Sequence, residues 1–221
     1  MKLTNFWNNV TLEREGLQVR SRGLSKRGQS ELVVRVDSAE LITHAEQFLR
    51  HVIKYLDQVK TRITDGQTMN YGYWLVKFLS ASNDLLEVWE YDPSGTDFIR
   101  GGSLTFTYWR DQHAICDKYG AAFSPPNPEQ LTVVSAGVLE GELPIQAVRY
   151  PWAEHMSGWI IMSEQYDGNI ESLMHHHTYH VTANRPDLAQ YIALPFGYRV
   201  DLAHGEHVWF DQKVASEILE H

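Results

Sequence analysis

Between residues 38 and 61 the apolar residues Leu41, Ile42, Ala45, Phe48, Leu49, Val52, Ile53, Leu56 and Val59 recur with the helical period and form one broad stripe. Glu46, Arg50, Lys54, Asp57 and Lys60 make the opposite face polar. This spacing predicts an amphipathic helix. Asp37 is placed to start it, its carboxylate accepting from a first-turn N–H while Glu40 reaches back, a capping box with Asp in the Ser/Thr position. His44 and His51 fall at the edge of the stripe, as boundary residues do. Short runs rich in β-branched and aromatic residues predict strands at 31–36, 71–79 and 85–91, the last two joined as a hairpin through Ala81-Ser82-Asn83-Asp84. Residues 92–95, Asp-Pro-Ser-Gly, close the second strand. A further strand is expected at 104–108, then a short helix over 110–119 ending at Gly120.

Ser124-Pro125-Pro126-Asn127-Pro128 is the strongest punctuation, because prolines so spaced neither continue a helix nor feed a central strand. The expected organisation is a module over 1–124, a proline-rich linker at 125–130 and a second module over 131–218. Within the second, strands are expected at 131–134, 145–150, 159–162, 198–202 and 208–210, interrupted by a helix from Asn184 to about Leu194 with Pro186 in its first turn. The fold class is α+β: two small modules, each a mainly antiparallel sheet with one or two packed helices. Leu219-Glu220-His221 looks like the start of an expression scar, so His221 is left out of the functional reading.

The chain has 221 residues, 43% hydrophobic and 21% charged, enough to bury a core without a disulfide or a metal. The formal charge of -9 changes the functional picture, since it has the wrong sign for nucleic acid or an anionic membrane and suits a basic partner. A single cysteine, Cys116, excludes an intrachain disulfide and any CxxC motif and fits a reducing compartment. Residues 1–10 hold no apolar signal core, and no 18 apolar residues run together. A cytoplasmic location is expected.

Histidine is the first chemical candidate. Met174-His175-His176-His177-Thr178-Tyr179-His180 carries four, and His204 and His207 follow on the next hairpin. A strand puts His175 and His177 on one face; a helix pairs His176 with His180. Neither form converges all four. A metal-dependent enzyme would use His175, His177 or His180 with His204 or His207, whereas the plain reading is an exposed polar edge that collects adventitious zinc or nickel, with no cofactor. The carboxylates Asp84, Glu87, Glu164, Asp167, Glu171 and Asp201 form no hydrolase pattern. GxSxG, P-loop, GxGxxG and HExxH motifs are absent. Cys116, three residues after His113, reads as a small buried residue rather than a nucleophile. Trp74 and Trp159 are expected in the core; Trp152, beside Pro151 and Glu154, is the candidate interface aromatic.

One resemblance joins these features. Val133-Val134-Ser135 with Val138-Leu139-Glu140-Gly141, then Ser157-Gly158-Trp159 followed by an acidic segment, then Asn184-Arg185-Pro186-Asp187-Leu188 leading to Leu194-Pro195-Phe196-Gly197, resemble the bacterial immunity-protein-33-like domain. The acidic stretch is sparser here, with Glu164, Asp167 and Glu171, and the histidine run stands where a plain strand is expected. The resemblance implies a non-enzymatic immunity protein that neutralises a cognate, basic toxin by direct binding, with Trp152, Glu164, Asp167 and Glu171 nearest the contact. An intracellular adaptor or homodimer is the reading that uses the same aromatic surface without a toxin.

Overall fold

The computed structural model describes residues 10–141, 144–203 and 205–219. The described residues divide into two compact units, one up to residue 92 together with 96–107, the other 93–95 together with those from 108 onward. The class is α+β with two sheet modules, as expected.

In the first unit, strands β1 (Thr11–Glu15), β2 (Gln18–Arg22) and β3 (Glu31–Arg35) precede α1 (Ile42–Val59), followed by β4 (Thr68–Tyr71), β5 (Trp74–Ser82), β6 (Leu85–Tyr91) and β7 (Phe98–Arg100). The apolar stripe of α1 is buried through Ala45, Phe48, Leu49, Val52 and Leu56, and Phe48 meets Tyr71 and Phe106 edge-on or tilted, with ring centroids 5.0 and 5.6 Å apart. Ser38 rather than Asp37 caps the entry, its hydroxyl accepting from the Glu40 N–H ahead of a 3₁₀ turn, Ala39–Leu41. Asp37 is turned away, its own N–H donating to Ser103 Oγ.

The sheet order is β1-β2-β3-β6-β5-β4, with β7 also on β6. All pairs are antiparallel except β3 with β6, where Glu31 stands opposite Leu85, because α1 carries the chain across between them. The β5–β6 hairpin turns on Asn83 and Asp84 alone, tighter than the expected four residues, with a register irregularity between Ser80 and Ser82.

Residues 104–108, expected as a strand, are instead the first turns of α2 (Ser103–Lys118). Buried Glu90 accepts from the N–H groups of Leu104 (3.0 Å) and Thr105 (2.6 Å) and from Thr105 Oγ1 (2.7 Å). Two of the four donors that a helix start leaves open are thereby satisfied by a carboxylate at the positive end of the dipole. That cap comes from another strand, so local pattern does not reveal it. The helix ends before Gly120, whose φ of +61° needs no Cβ.

The second unit holds the rest of α2 from Tyr108 and the strands β8 (Leu131–Val134), β9 (Ile145–Arg149), β10 (Met156–Ser163), β11 (Met174–His177), β12 (Tyr198–Asp201) and β13 (His207–Phe210). Two short helices, α3 (Thr178–Asn184) and α4 (Gln212–Ser216), and a 3₁₀ segment, Pro186–Tyr191, complete it. The segment expected as one helix from Asn184 is therefore α3 followed by that 3₁₀ stretch, with Arg185 outside helical geometry between them because Pro186 restricts the residue before it. Sheet order is β11-β8-β10-β9-β12-β13, with β8 and β10 parallel and the rest antiparallel. The proline-rich segment 125–130 lies inside this unit: Ser124 N–H donates to Ala193 O, and Arg149 donates to Ser124 O. Cys116 is buried, its thiol 3.7 Å from Ala193 O, and burial, with Asp117 nearby, pushes its pKa up to about 11. It behaves as the small core residue its sequence position indicates.

Candidate binding surface

Register gives the six-stranded sheet two distinct faces. The inner one carries Val134, Trp159, Ile161, Ala147 and Val200, all buried, and Trp159 Nε1 donates to Ile192 O at 3.0 Å. Arg149 lies among them, 3% exposed and without a carboxylate partner among the described residues. Its Nε donates to Ser157 O (2.9 Å) and its Nη1 to Ser124 O and Leu194 O (both 2.5 Å), and its guanidinium sits 4.8 Å from the Phe196 ring centre. Burial pushes its pKa down to about 9, which still leaves it charged at neutral pH. Arg149 is a structural cross-link of three chain segments rather than a free cation.

Ser157-Gly158-Trp159 has a geometric reason. Gly158 sits at φ +84° where the β8–β10 register shifts, and any Cβ there would overlap the Tyr150 carbonyl and come within 2.7 Å of the Phe196 ring. Ser157 Oγ meets Thr132 Oγ1 at 2.8 Å, and Thr132 meets Thr178 Oγ1 at 2.9 Å, a buried hydroxyl chain linking β8, β10 and α3. Trp159 then fills the core.

The outer face is buried at its centre and wetter toward its edges. One row crosses all six strands, His175, Val133, Ile160, Val148, Arg199 and Trp209, with Val133 and Val148 buried and His175 exposed, and the next runs Met162, Gln146, Asp201, His207. At the end of β10 a depression of about 440 Å³ opens between Met162, Gln146, Glu164 and Tyr166.

The acidic loop 164–172 leaves the sheet at this end. It is built, not loose: Asp167 Oδ1 accepts from the Asn169 N–H (2.9 Å) and from Ser172 Oγ (2.8 Å), and Asn169 Oδ1 accepts from the Glu171 N–H (3.0 Å). Those two donors to Asp167 hold its pKa below the usual range. Glu164 and Glu171 are exposed and make no ion pair among the described residues. Between the acids stands Ile170, 78% exposed, and Met174 follows at 40%. Sequence reasoning passed over both; the available signal was an isolated isoleucine within a run of turn-forming polar residues.

Trp152 is half-buried and precedes β10, whereas the acidic loop follows it. The eight residues of β10 separate the two by roughly 26 Å at about 3.3 Å per residue. Asp167 and Glu171 therefore share one hydrogen-bonded loop, Glu164 stands where that loop begins after β10, and Trp152 lies before the strand's other end.

The histidine run is neither all strand nor all helix, because β11 ends at His177 and α3 begins at Thr178. His175 and His177 point to the outer face, and His176 to the inner one. The His177 ring stacks on Tyr179 at 5.3 Å and lies 6.0 Å from that of His180, with Nδ1 2.7 Å from Glu129 O. Burial, then the neighbouring His177 and His176, lower the His180 pKa. His207 is on β13, five strand spacings from β11, roughly 24 Å at about 4.8 Å each. His204 lies outside the described residues. Among those described, no three His, Cys, Asp or Glu side chains converge in a way that would hold a metal ion, and no helix is long and apolar enough to cross a membrane.

Charge is divided unequally between the units. Residues 1–107 carry 13 Lys+Arg and 13 Asp+Glu, whereas residues 108–221 carry 6 and 15, so the whole formal charge of -9 falls in the second unit. Four of its six cations are already committed: Arg110 to Asp111, Lys118 to Glu206, Arg185 to Asp187 and Arg199 to Asp211.

The same half of the chain carries the family signal. Residues 111–211 match the Imm33-like domain. No curated protein and no solved structure matches the chain. The Imm33-like match begins within α2, ahead of the proline-rich segment, and runs to Asp211, which caps α4 by accepting from the Lys213 and Val214 N–H groups. It covers all six strands of the second sheet, the acidic loop and the Ser157-Gly158-Trp159 bulge. The name of the Imm33-like family points to immunity proteins, whose role is to bind a toxin partner.

Proposed function

We propose that this protein is a cytoplasmic, non-enzymatic immunity protein whose Imm33-like unit neutralises a cognate toxin by covering a basic surface of it. The observation that carries this reading is the coincidence of the family match with the half that holds all the net charge. Complementary charge of this kind raises the encounter rate and sets orientation, and exposed apolar residues supply affinity once water is excluded. Glu164, Asp167 and Glu171 serve as the electrostatic contacts, and Ile170 and Met174 as the apolar anchors. Trp152, at the far end of β10, lies outside this contact, or enters it only if the toxin spans the whole outer face. Nucleic acid and anionic membranes are disfavoured by the same charge.

The test is co-expression in a sensitive host with the open reading frames flanking the gene. Rescue of growth from one toxic product, together with co-purification of the pair, is the expected result. Absence of both with every flanking product would end the reading.

A further inference from the structure

We propose that the outer edge of β11 accepts an extended, Lys/Arg-bearing segment of the partner as a seventh strand of the second sheet. β11 terminates the sheet and pairs only with β8 among the described strands. Which of its backbone groups are free follows from one hydrogen bond. The Thr178 N–H donates to Gln130 O, in the same antiparallel register that puts His176 opposite Thr132 and Met174 opposite Val134. Inward-bonded residues alternate in such a ladder, so 174, 176 and 178 face β8; His175 presents its N–H and C=O outward and His177 its N–H, while the His177 C=O, at the N-cap of α3, turns into the helix. The Leu131 N–H donating to His155 O on the opposite side of β8 agrees with this alternation.

Soluble proteins commonly protect an edge with lysine, proline or a bulge. β11 has none of these: its sequence is Met-His-His-His and its register with β8 is unbroken. The charge around it selects the occupant. Asp167 and Glu171 lie in the loop that leads into the strand, the unit carries the whole -9, and Ile170 in that loop and Met174 at the strand's start are exposed apolar residues. Strand addition takes affinity from the main chain and specificity from side chains at the rim; here the rim fits alternating cationic and apolar residues. The toxin as owner of that segment rests on the function proposed above, whereas the edge chemistry does not.

The experiment titrates ¹⁵N-labelled protein with acetyl-Lys-Val-Lys-Val-Lys-Val-amide and, separately, with its Glu-for-Lys counterpart. Saturable shifts at the His175 and His177 amides and in loop 164–172, with the cationic peptide alone, are expected. His177 has φ -55°, which proline adopts without strain, so His177→Pro removes an outward donor while leaving the β8 ladder intact. We expect it to weaken binding about tenfold, the loss of one hydrogen bond plus the bulk of the ring at the edge, and His177→Ala to stay within about twofold. Cross-strand NOEs from the peptide to His175 and His177 are expected in the unmodified protein and test the same pairing without relying on a variant. No binding, binding without those NOEs, equal binding of the acidic peptide, or equal loss in the proline and alanine variants would overturn the proposal. Those failures leave toxin binding through another surface standing, and failure of the growth rescue leaves the edge a peptide acceptor.

Discussion

Gly158→Ala separates backbone conformation from steric fit inside the motif that carries the family likeness. Placing alanine at φ +84° costs about 1 kcal/mol for the left-handed region alone. The new Cβ also overlaps the Tyr150 carbonyl oxygen and approaches the Phe196 ring to 2.7 Å. Tyr150 is held by its own N–H donating to Gly158 O at 2.9 Å, so the carbonyl cannot withdraw without breaking the bulge. Such overpacking adds about 2 kcal/mol, for a total of about 3. Gly168→Ala is the matched control, with φ +82° and nothing within 4 Å of the added Cβ, and should cost about 1 kcal/mol. Calorimetric melting of the two variants against the parent protein measures the difference. For a unit of this size the Gly158 variant should melt roughly 10 °C lower and the Gly168 variant roughly 4 °C lower. Equal shifts would show that the approach of β10 to Tyr150 is not what requires glycine.

Three further outcomes follow from other parts of the molecule. Arg149→Met removes the donor to Ser157, Ser124 and Leu194 carbonyls and should destabilise the second unit by about 3 kcal/mol in urea unfolding, whereas a surface cation would change it by less than about 0.5. Glu90 is held above its ordinary value of 4.5 by burial, against the hydrogen bonds from Thr105 and Leu104, so its contribution to stability is full below the unfolded pKa and is lost as pH rises through the folded one. Unfolding of the parent protein minus that of Glu90→Gln, measured from pH 4 to 7, should therefore decline with pH, and a rising difference would reverse the assigned sign. Metal analysis of protein without the terminal histidine should find no stoichiometric zinc; near-stoichiometric zinc surviving dialysis would instead establish a site at the histidine run.

Several elements were legible because their causes are local. The α1 stripe, the β5–β6 hairpin and the buried Trp74 and Trp159 follow from apolar spacing, and the structure has them where that spacing puts them. What was missed has distant causes. The first turns of α2 are fixed by Glu90 from another strand, and 104–108 read as a strand because its aromatic and β-branched content is what local pattern detects. β1 and β2 escaped because only Val19 and Ser21 of their ten residues are buried, too little for a clear alternation. At the binding surface the placement of Glu164, Asp167 and Glu171 along one loop was readable. The distance to Trp152 was not, since it depends on the direction of β10, and Ile170 draws its meaning from exposure rather than from residue type.

The central claim, that the Imm33-like unit binds a basic toxin through its acidic loop, is most directly tested by the salt dependence of that binding. Affinity of the parent protein and of the Glu164→Lys, Glu171→Lys double variant for the toxin identified by growth rescue should be compared at low and high ionic strength. We expect parent binding to weaken steeply with salt as the charges are screened, and the double variant to bind at least tenfold more weakly at low salt with little salt dependence left. Equal affinity of parent and variant, unchanged by salt, would contradict the claim.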